Sequence, residues 1–468
     1  MIGVDFNMIA VRKGYFLRQS RGEKQARISA YKVEGLMKQV FRGAILALLA
    51  VLIVPGRAPA GVLEFGMGAR AVAMGQAQVA AVNDASAMTY NPAALSYMRD
   101  YWDLRTRQYF LQVASVGTDS ILYLNDREQR DPYTSAFTIG IVLPLTRKLT
   151  GGIQVYYPQD TTIELEFFRG PTLSRYRAWR WFYVIAGGSY QITRKLSVGA
   201  GMNATLNFNS SPLNLDLTSV IALIGLDIGG GAKDLNPAFK IDVLLKQSYE
   251  LGALYRPTKW LNLGAFYRYK LGTEFNIPIK IPAGLTPETN ILISGYMYVL
   301  NPPQWAFGAA VFPTKNLTLA FDMQYDMWSK VTPGVKITSD SPTFSSPKEN
   351  FKLDNVWWPK FGVEWKDKLG GKYSRSDYAV RLGYSHYTSP YPDKIPASGD
   401  MDTDADFFSG GFSFGYKPRR TLDYVSLDYF YQYVNLVERN IKHIDQNPPS
   451  LIADGHVIYT GFGVTIML

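Results

Sequence analysis

The chain of 468 residues contains no cysteine. That rules out a disulfide-stapled scaffold and any thiolate metal centre, and it suits an exported protein. Histidine is scarce as well: there are three, His386, His443 and His456. The pair His443 and Asp445 could serve acid–base chemistry, but no serine motif accompanies it. The segment GGGAKD at 229–234 lacks the spacing and the following Ser/Thr of a phosphate loop. The acidic run DMDTDAD at 400–406 lacks the Gly and distal Glu of a calcium loop. No enzymatic activity, metal or cofactor is therefore expected. Beyond residue 60 the chain nowhere offers the roughly eighteen uninterrupted apolar residues of a spanning helix. An excess of one charge is also missing. The formal net charge is +10, but residues 1–60 hold 10 Lys/Arg against 3 Asp/Glu, which leaves 39 basic and 36 acidic residues beyond them. No basic stripe remains, so nucleic acid is not an expected partner.

Aromatics and glycine are abundant: 14% of residues are Phe, Trp or Tyr, with 31 Tyr and 41 Gly. Near the start, Lys38 and Arg42 precede the apolar run Ala44–Val54, and Ala58-Pro59-Ala60 forms a cleavage site. The run is too short to span a bilayer. Residues 37–60 therefore read as an export signal and 1–36 as an extension outside the fold, with the mature chain expected from Gly61.

After residue 100 the dominant signal has period two. Leu317, Leu319, Phe321, Met323 and Tyr325 alternate with Thr318, Ala320, Asp322 and Gln324, and similar runs occur around 261–270, 408–416 and 425–433. Each such strand has one apolar face and one small or polar face. A soluble sandwich would press the apolar faces together, whereas a membrane barrel turns them to lipid. Several runs reach about ten residues, the length of a tilted membrane strand and longer than most soluble strands. Charges on the polar faces, such as Arg268, Lys270, Asp322 and Asp428, suit a wet lumen. Aromatics at Tyr101-Trp102, Trp179, Trp181, Trp260, Trp328 and Trp357-Trp358 suit interfacial girdles. The segments PLTRKLTGG, QITRKLSVG, RPTKWLNLG and FPTKNLTLA share a short turn between strands, and long connections separate them. That asymmetry belongs to outer-membrane barrels. The expected fold is all-β: about fourteen antiparallel transmembrane strands, beginning near residues 104, 135, 150, 179, 196, 243, 260, 303, 316, 356, 378, 406, 423 and 458. The final run GFGVTIML ends on an outward hydrophobe, the kind of end the barrel-assembly machinery recognises, with Leu468 in place of the usual aromatic.

A barrel of this width leaks unless it is blocked. Residues 61–100 are the segment available to block it. Asn83 or Asp84 can cap a short helix, and Asn91 a second one that has Pro92 at its first position. The barrel then occupies 101–468.

The stretch GARAVAMGQAQVAAVNDASAMTYNPAAL (68–95), with its Asn91-Pro92-Ala93, resembles the N-terminal hatch of FadL/TodX-type outer-membrane transporters. PPQWAFGAAVFPTKNLTLAFDMQYDMWSK (302–330) and YAVRLGYSHYTSPYPD (378–393) resemble two later segments of that family, in the same order. The resemblance implies a fourteen-stranded barrel with a lumenal hatch, which takes up long-chain fatty acids or aromatic hydrocarbons passively. It implies capture among greasy outer loops, a pocket beside the hatch and an exit through the wall. On that basis the hatch-side ligand residues are Gly61, Val62, Leu63, Phe65, Asn91, Pro92 and Ala93. The capture loop contributes Val220, Ile221, Leu223, Ile224, Leu226 and Ile228, and Pro158 is the candidate wall kink. Arg268, Lys270 and Arg381 are the candidates for holding a carboxylate. The expected partners are a hydrophobic small molecule and outer-membrane lipid or lipopolysaccharide, bound by a monomer. Two other functions remain open: a secretion or surface-attachment scaffold that does not transport, and a general porin.

Overall fold

The computed structural model describes residues 67–102, 110–124, 127–130, 134–158, 163–169, 172–178, 181–207, 242–244, 247–281, 289–331, 335–339, 352–370, 374–395, 403–418, 423–443 and 450–467. The proposed extension and signal segment, residues Gly61, Val62, Leu63 and Phe65, and the capture loop around Val220–Ile228 lie outside the described residues.

Fourteen strands form the wall: β1 (Phe110–Leu124), β2 (Thr134–Pro144), β3 (Leu149–Pro158), β4 (Trp181–Gln191), β5 (Leu196–Asn207), β6 (Gln247–Tyr255), β7 (Leu261–Arg268), β8 (Gln304–Val311), β9 (Leu317–Asp326), β10 (Val356–Lys368), β11 (Ser376–Tyr387), β12 (Ala405–Tyr416), β13 (Tyr424–His443) and β14 (Ser450–Met467). Each pairs antiparallel with the next, and β14 pairs back onto β1 from Phe110↔Met467 to Leu124↔Ala453, which closes the sheet. Two short strands, Arg127–Arg130 and Lys394–Ile395, extend the wall. On the long-loop side, 271–281 and 289–301 form a hairpin flanked by 242–244 and 335–339. The expected strand starts agree with these to within a few residues, apart from the first strand, which starts at Phe110, and the last, which starts at Ser450.

The two faces fall as the alternation requires. Along β10, Val356, Trp358, Lys360, Gly362 and Glu364 point inward, while Trp357, Phe361, Val363 and Trp365 point outward. In β11, Leu382 is 65% exposed and its neighbour Arg381 is 5% exposed. A belt of exposed Leu, Val, Phe, Tyr and Trp would be unfavourable in water, and acyl chains remove that cost. The inner face buries polar and charged residues, among them Gln154, Asn203, Glu250, Arg268, Asp322, Lys360, Arg381 and Asp428, beside apolar ones such as Phe407 and Phe430.

The shared turn motif has a structural cause. Thr146, Thr193 and Thr314 each stand three residues before a leucine that opens the next strand. Each hydroxyl accepts amide hydrogens from the second and third residues after it, at 3.0–3.3 Å. The hydroxyl fixes the turn, so the short connections repeat one sequence form.

The aromatic girdle needs correcting. Trp260 and Trp357 face outward, but Trp358 is buried in the lumen because adjacent strand residues face opposite sides. Trp102, at the end of the hatch segment, packs on Tyr424 and Phe110, with ring centroids 5.0 and 6.1 Å away. The side chains of Trp179 and Trp181 lie outside the described residues.

Candidate functional site: the hatch and the lumenal cavity

Residues 67–102 fill the bore as three short helices, α1 (Ala69–Ala73), α2 (Ala87–Tyr90) and α3 (Ala94–Tyr101), joined by turns. Ala alone supplies over a quarter of the segment, and such small side chains let its backbone lie directly on the wall. Asp84 accepts the Ser86 amide at 2.9 Å ahead of α2. Asn91 accepts the Ala93 amide at 3.1 Å ahead of α3. The N-caps themselves are Ser86 and Ala93, without a side-chain cap, so the expected caps at Asp84 and Asn91 fall two residues ahead of them and fix the preceding turns instead.

Among the described residues, three cross-strand glycine pairs receive the hatch backbone, and a fourth, Gly152 and Gly187, receives the Met88 side chain. Gly199 and Gly252 face each other across β5 and β6. A Cβ on either would overlap Asn91 or the Pro92–Ala93 backbone. Gly264 and Gly308, across β7 and β8, receive Val79, and Gly362 and Gly383, across β10 and β11, receive Met74 and Gly75. Polar contacts complete each seat. Asn91 Nδ2 donates to the carbonyls of Val79 (2.8 Å) and Ala253 (3.1 Å). The Ala93 carbonyl accepts from Ser189 and Ser197, both at 2.9 Å, and Ser96 Oγ lies 2.6 Å from Ser189 Oγ. Asp322 Oδ2 accepts the successive amides of Gln78 (2.5 Å) and Val79 (2.8 Å).

Arg70 in α1 holds Glu364 with two bonds of 2.9 Å and also donates to Gln78 and the Ala81 carbonyl. Burial works against its charge, but the Glu364 carboxylate outweighs burial and keeps the guanidinium above its ordinary pKa. Glu364 also accepts Arg381 Nε at 2.6 Å, and Arg381 continues to Asp428 at 2.9 Å and Ser413 at 3.1 Å. Below this chain a cavity of about 30 Å³ is lined by Arg70, Trp102, Lys366, Tyr424 and Asp428. Trp102 Nε1 donates to the Asn83 carbonyl at 2.7 Å, and Lys366 Nζ lies 4.9 Å from the Trp102 ring centre. At the short-turn end, Asp100 joins Arg256 at 3.0 Å, tying α3 to that rim.

A larger cavity of about 90 Å³ lies between the hatch and the long-loop ends of β7–β11. Gln76, Val79, Thr89 and Tyr90 of the hatch contribute to its lining. Phe266, Ala306, Trp328, Trp358 and Tyr387 supply apolar and aromatic surface, and Arg268, Asp322, Asp326 and Lys360 supply charge. It has room for several waters or the end of a ligand, and is smaller than the roughly 150 Å³ apolar cavity that admits benzene. The β10–β11 ladder stops beside it, at Lys360↔Ser385, although β10 continues back through Pro359, which has no amide hydrogen to donate.

Asn91, Pro92 and Ala93 are buried against the wall and line neither cavity. Pro158 is the last residue of β3 and pairs with Ala136 without a shift in register, while the β3–β4 ladder ends two residues earlier at Tyr156↔Tyr183. Arg268 and Arg381 are taken up by carboxylates of the barrel itself. Sequence reasoning missed Lys360, Asp326, Trp358 and Tyr387. The available signal was the inward phase of β9 and β10, which places Asp322, Gln324, Asp326, Trp358 and Lys360 on one face. His386 pairs with Asp406 at 2.8 Å, and Tyr384 donates to the same carboxylate.

Residues 60–465 match the model of the family described as outer membrane protein transport protein (OMPP1/FadL/TodX). The chain belongs to this family. It is an outer-membrane transport barrel of the FadL/TodX type, and the family's work is transport, not catalysis. Its fold is shared by a FadL homologue from Pseudomonas aeruginosa, 15% identical, with 88% of this chain and 99% of that one covered and a TM-score of 0.57. The toluene transporter TodX of P. putida is 17% identical, with 86% and 98% covered and a TM-score of 0.55. The monoaromatic hydrocarbon channel CymD is also 17% identical, with the same coverage and a TM-score of 0.53. These identities carry the fold alone. No curated protein sequence matches.

Proposed function

We propose that the chain admits hydrophobic small molecules passively across the outer membrane, with the cavity above the hatch as their resting site. The observation that carries this is the placement of that cavity. Aromatic side chains meet polar and charged ones in the bore, next to a floor seated against the wall. A hydrophobic solute needs such a shielded pocket to leave water without entering the charged outer leaflet. Capture is assigned to the apolar stretch 213–231, and cleavage after Ala60 yields a mature chain that begins at Gly61.

The exit is assigned to the wall, since the hatch is held at three glycine seats and by buried ion pairs. Of the two proline positions, Pro359 stands at the seam that borders the cavity, whereas no β3 residue lines it. We therefore place the opening between β10 and β11, with the Trp358 and Tyr387 rings, 5.2 Å apart, closing it. A non-transporting scaffold would share the fixed hatch but has no need of an aromatic-lined cavity. A general porin needs an open bore.

The test is uptake of labelled oleate and of toluene by a deletion strain complemented with the full chain or with a form lacking 213–231. Uptake that depends on the chain and falls several-fold without the loop is expected. Equal uptake with and without the chain, for both solutes, would favour the scaffold.

A further inference from the structure

The cluster around the cavity contains two cations, Arg268 and Lys360, and three carboxylates, Glu250, Asp322 and Asp326. Neither cation is free. Arg268 Nε donates to Glu250 at 3.2 Å and a terminal nitrogen donates to the Thr89 carbonyl. Lys360 Nζ donates to Gln324 Oε1 at 2.8 Å and lies 3.9 Å from the Trp358 ring centre. Gln324 in turn donates from Nε2 to Asp326 Oδ1 at 2.8 Å. Asp322 is the direct cross-strand partner of Lys360. One lysine is thus bracketed by two carboxylates, with a glutamine bridging it to the outer one.

We propose that the cavity selects neutral hydrophobic solutes over their carboxylate counterparts, and that Asp326 sets this preference. The inference rests on the assignment of the cavity as the solute site. A carboxylate entering from the long-loop side meets Asp326 at the end of β9, four positions above the Asp322–Lys360 pair, so its repulsion offsets the attraction of the lysine. Its desolvation is then left without compensation. A hydroxyl or a bare ring carries no such cost. Asp326 is the group to test because Asp322 is committed to the hatch amides. Asn at position 326 keeps the oxygen that Gln324 uses and removes only the charge.

The experiment measures Kd for decan-1-ol and decanoate on the purified full chain. It uses one detergent at neutral pH and subtracts ligand partition into protein-free micelles. Wild type is expected to bind the alcohol at least about tenfold more tightly, and Asp326→Asn to narrow that ratio about tenfold by strengthening decanoate alone. Asp326→Ser provides the same charge removal should the Asn variant fail to fold, and Lys360→Gln is expected to weaken decanoate while sparing the alcohol. Tighter binding of decanoate by wild type, or an unchanged ratio in the Asp326 variants, overturns the proposal. Binding of neither ligand overturns the assignment of the cavity itself, and this inference with it.

Discussion

Glu364 carries two arginines, Arg70 from the hatch and Arg381 from the neighbouring strand, in a buried site. Losing one arginine leaves the carboxylate still paired. Losing the carboxylate leaves two guanidiniums facing each other, although Arg381 keeps Asp428. Removing the shared partner of a buried pair costs roughly 3–5 kcal/mol. Glu364→Gln is therefore expected to lower the denaturant midpoint of the folded gel band clearly more than Arg70→Met does. Equal shifts would show that the shared carboxylate is not the keystone. The charged residues themselves were legible in the sequence, because they occupy the small, polar phase of strands whose other phase is greasy. Their partners were not legible. Arg381 reads as a candidate ligand cation until the register sets it opposite Glu364, and Lys360 remained hidden because nothing along the chain marks its neighbours.

Among the elements, the hatch and the strand glycines explain each other. Gly383 has no room for a methyl group: an added Cβ would overlap the Gly75 amide nitrogen and the Met74 carbonyl carbon. Gly410, in the neighbouring strand β12, would place a Cβ no closer than 3.7 Å to any heavy atom. Gly383→Ala is expected to leave the wall folded and lift α1 from its seat. That would raise single-channel conductance in planar bilayers and sensitivity to large antibiotics, whereas Gly410→Ala changes neither. Matching conductance in the two variants would contradict the seat. Strand phase and turn position could be read directly, since period two and the Thr-x-x-Leu turn are local signals. Glycine pairing is not local. Gly199 and Gly252 lie 53 positions apart and meet only through the β5–β6 register. The same limit explains Trp358: consecutive tryptophans look like one girdle, yet one of the two must face inward.

For the whole molecule, the closed ladder and its inverted polarity follow from one rule. A chain in lipid must satisfy every backbone polar group internally, and a closed sheet does so while presenting its apolar face outward. The bore that results is plugged by a segment whose small residues fit a glycine-lined wall. Because the chain has no cysteine, an introduced pair can be read without background. Ser96 of α3 and Ser189 of β4 place their hydroxyl oxygens 2.6 Å apart, so Ser96→Cys combined with Ser189→Cys should cross-link hatch to wall in intact outer membranes. The decisive measurement is uptake of toluene by cells carrying this doubly substituted chain, before and after reduction. If the hatch stays seated while the solute leaves through the wall, the oxidised form transports at the wild-type rate and reduction changes nothing. Uptake that stops on oxidation and returns on reduction, or a pair that never cross-links, would contradict the account.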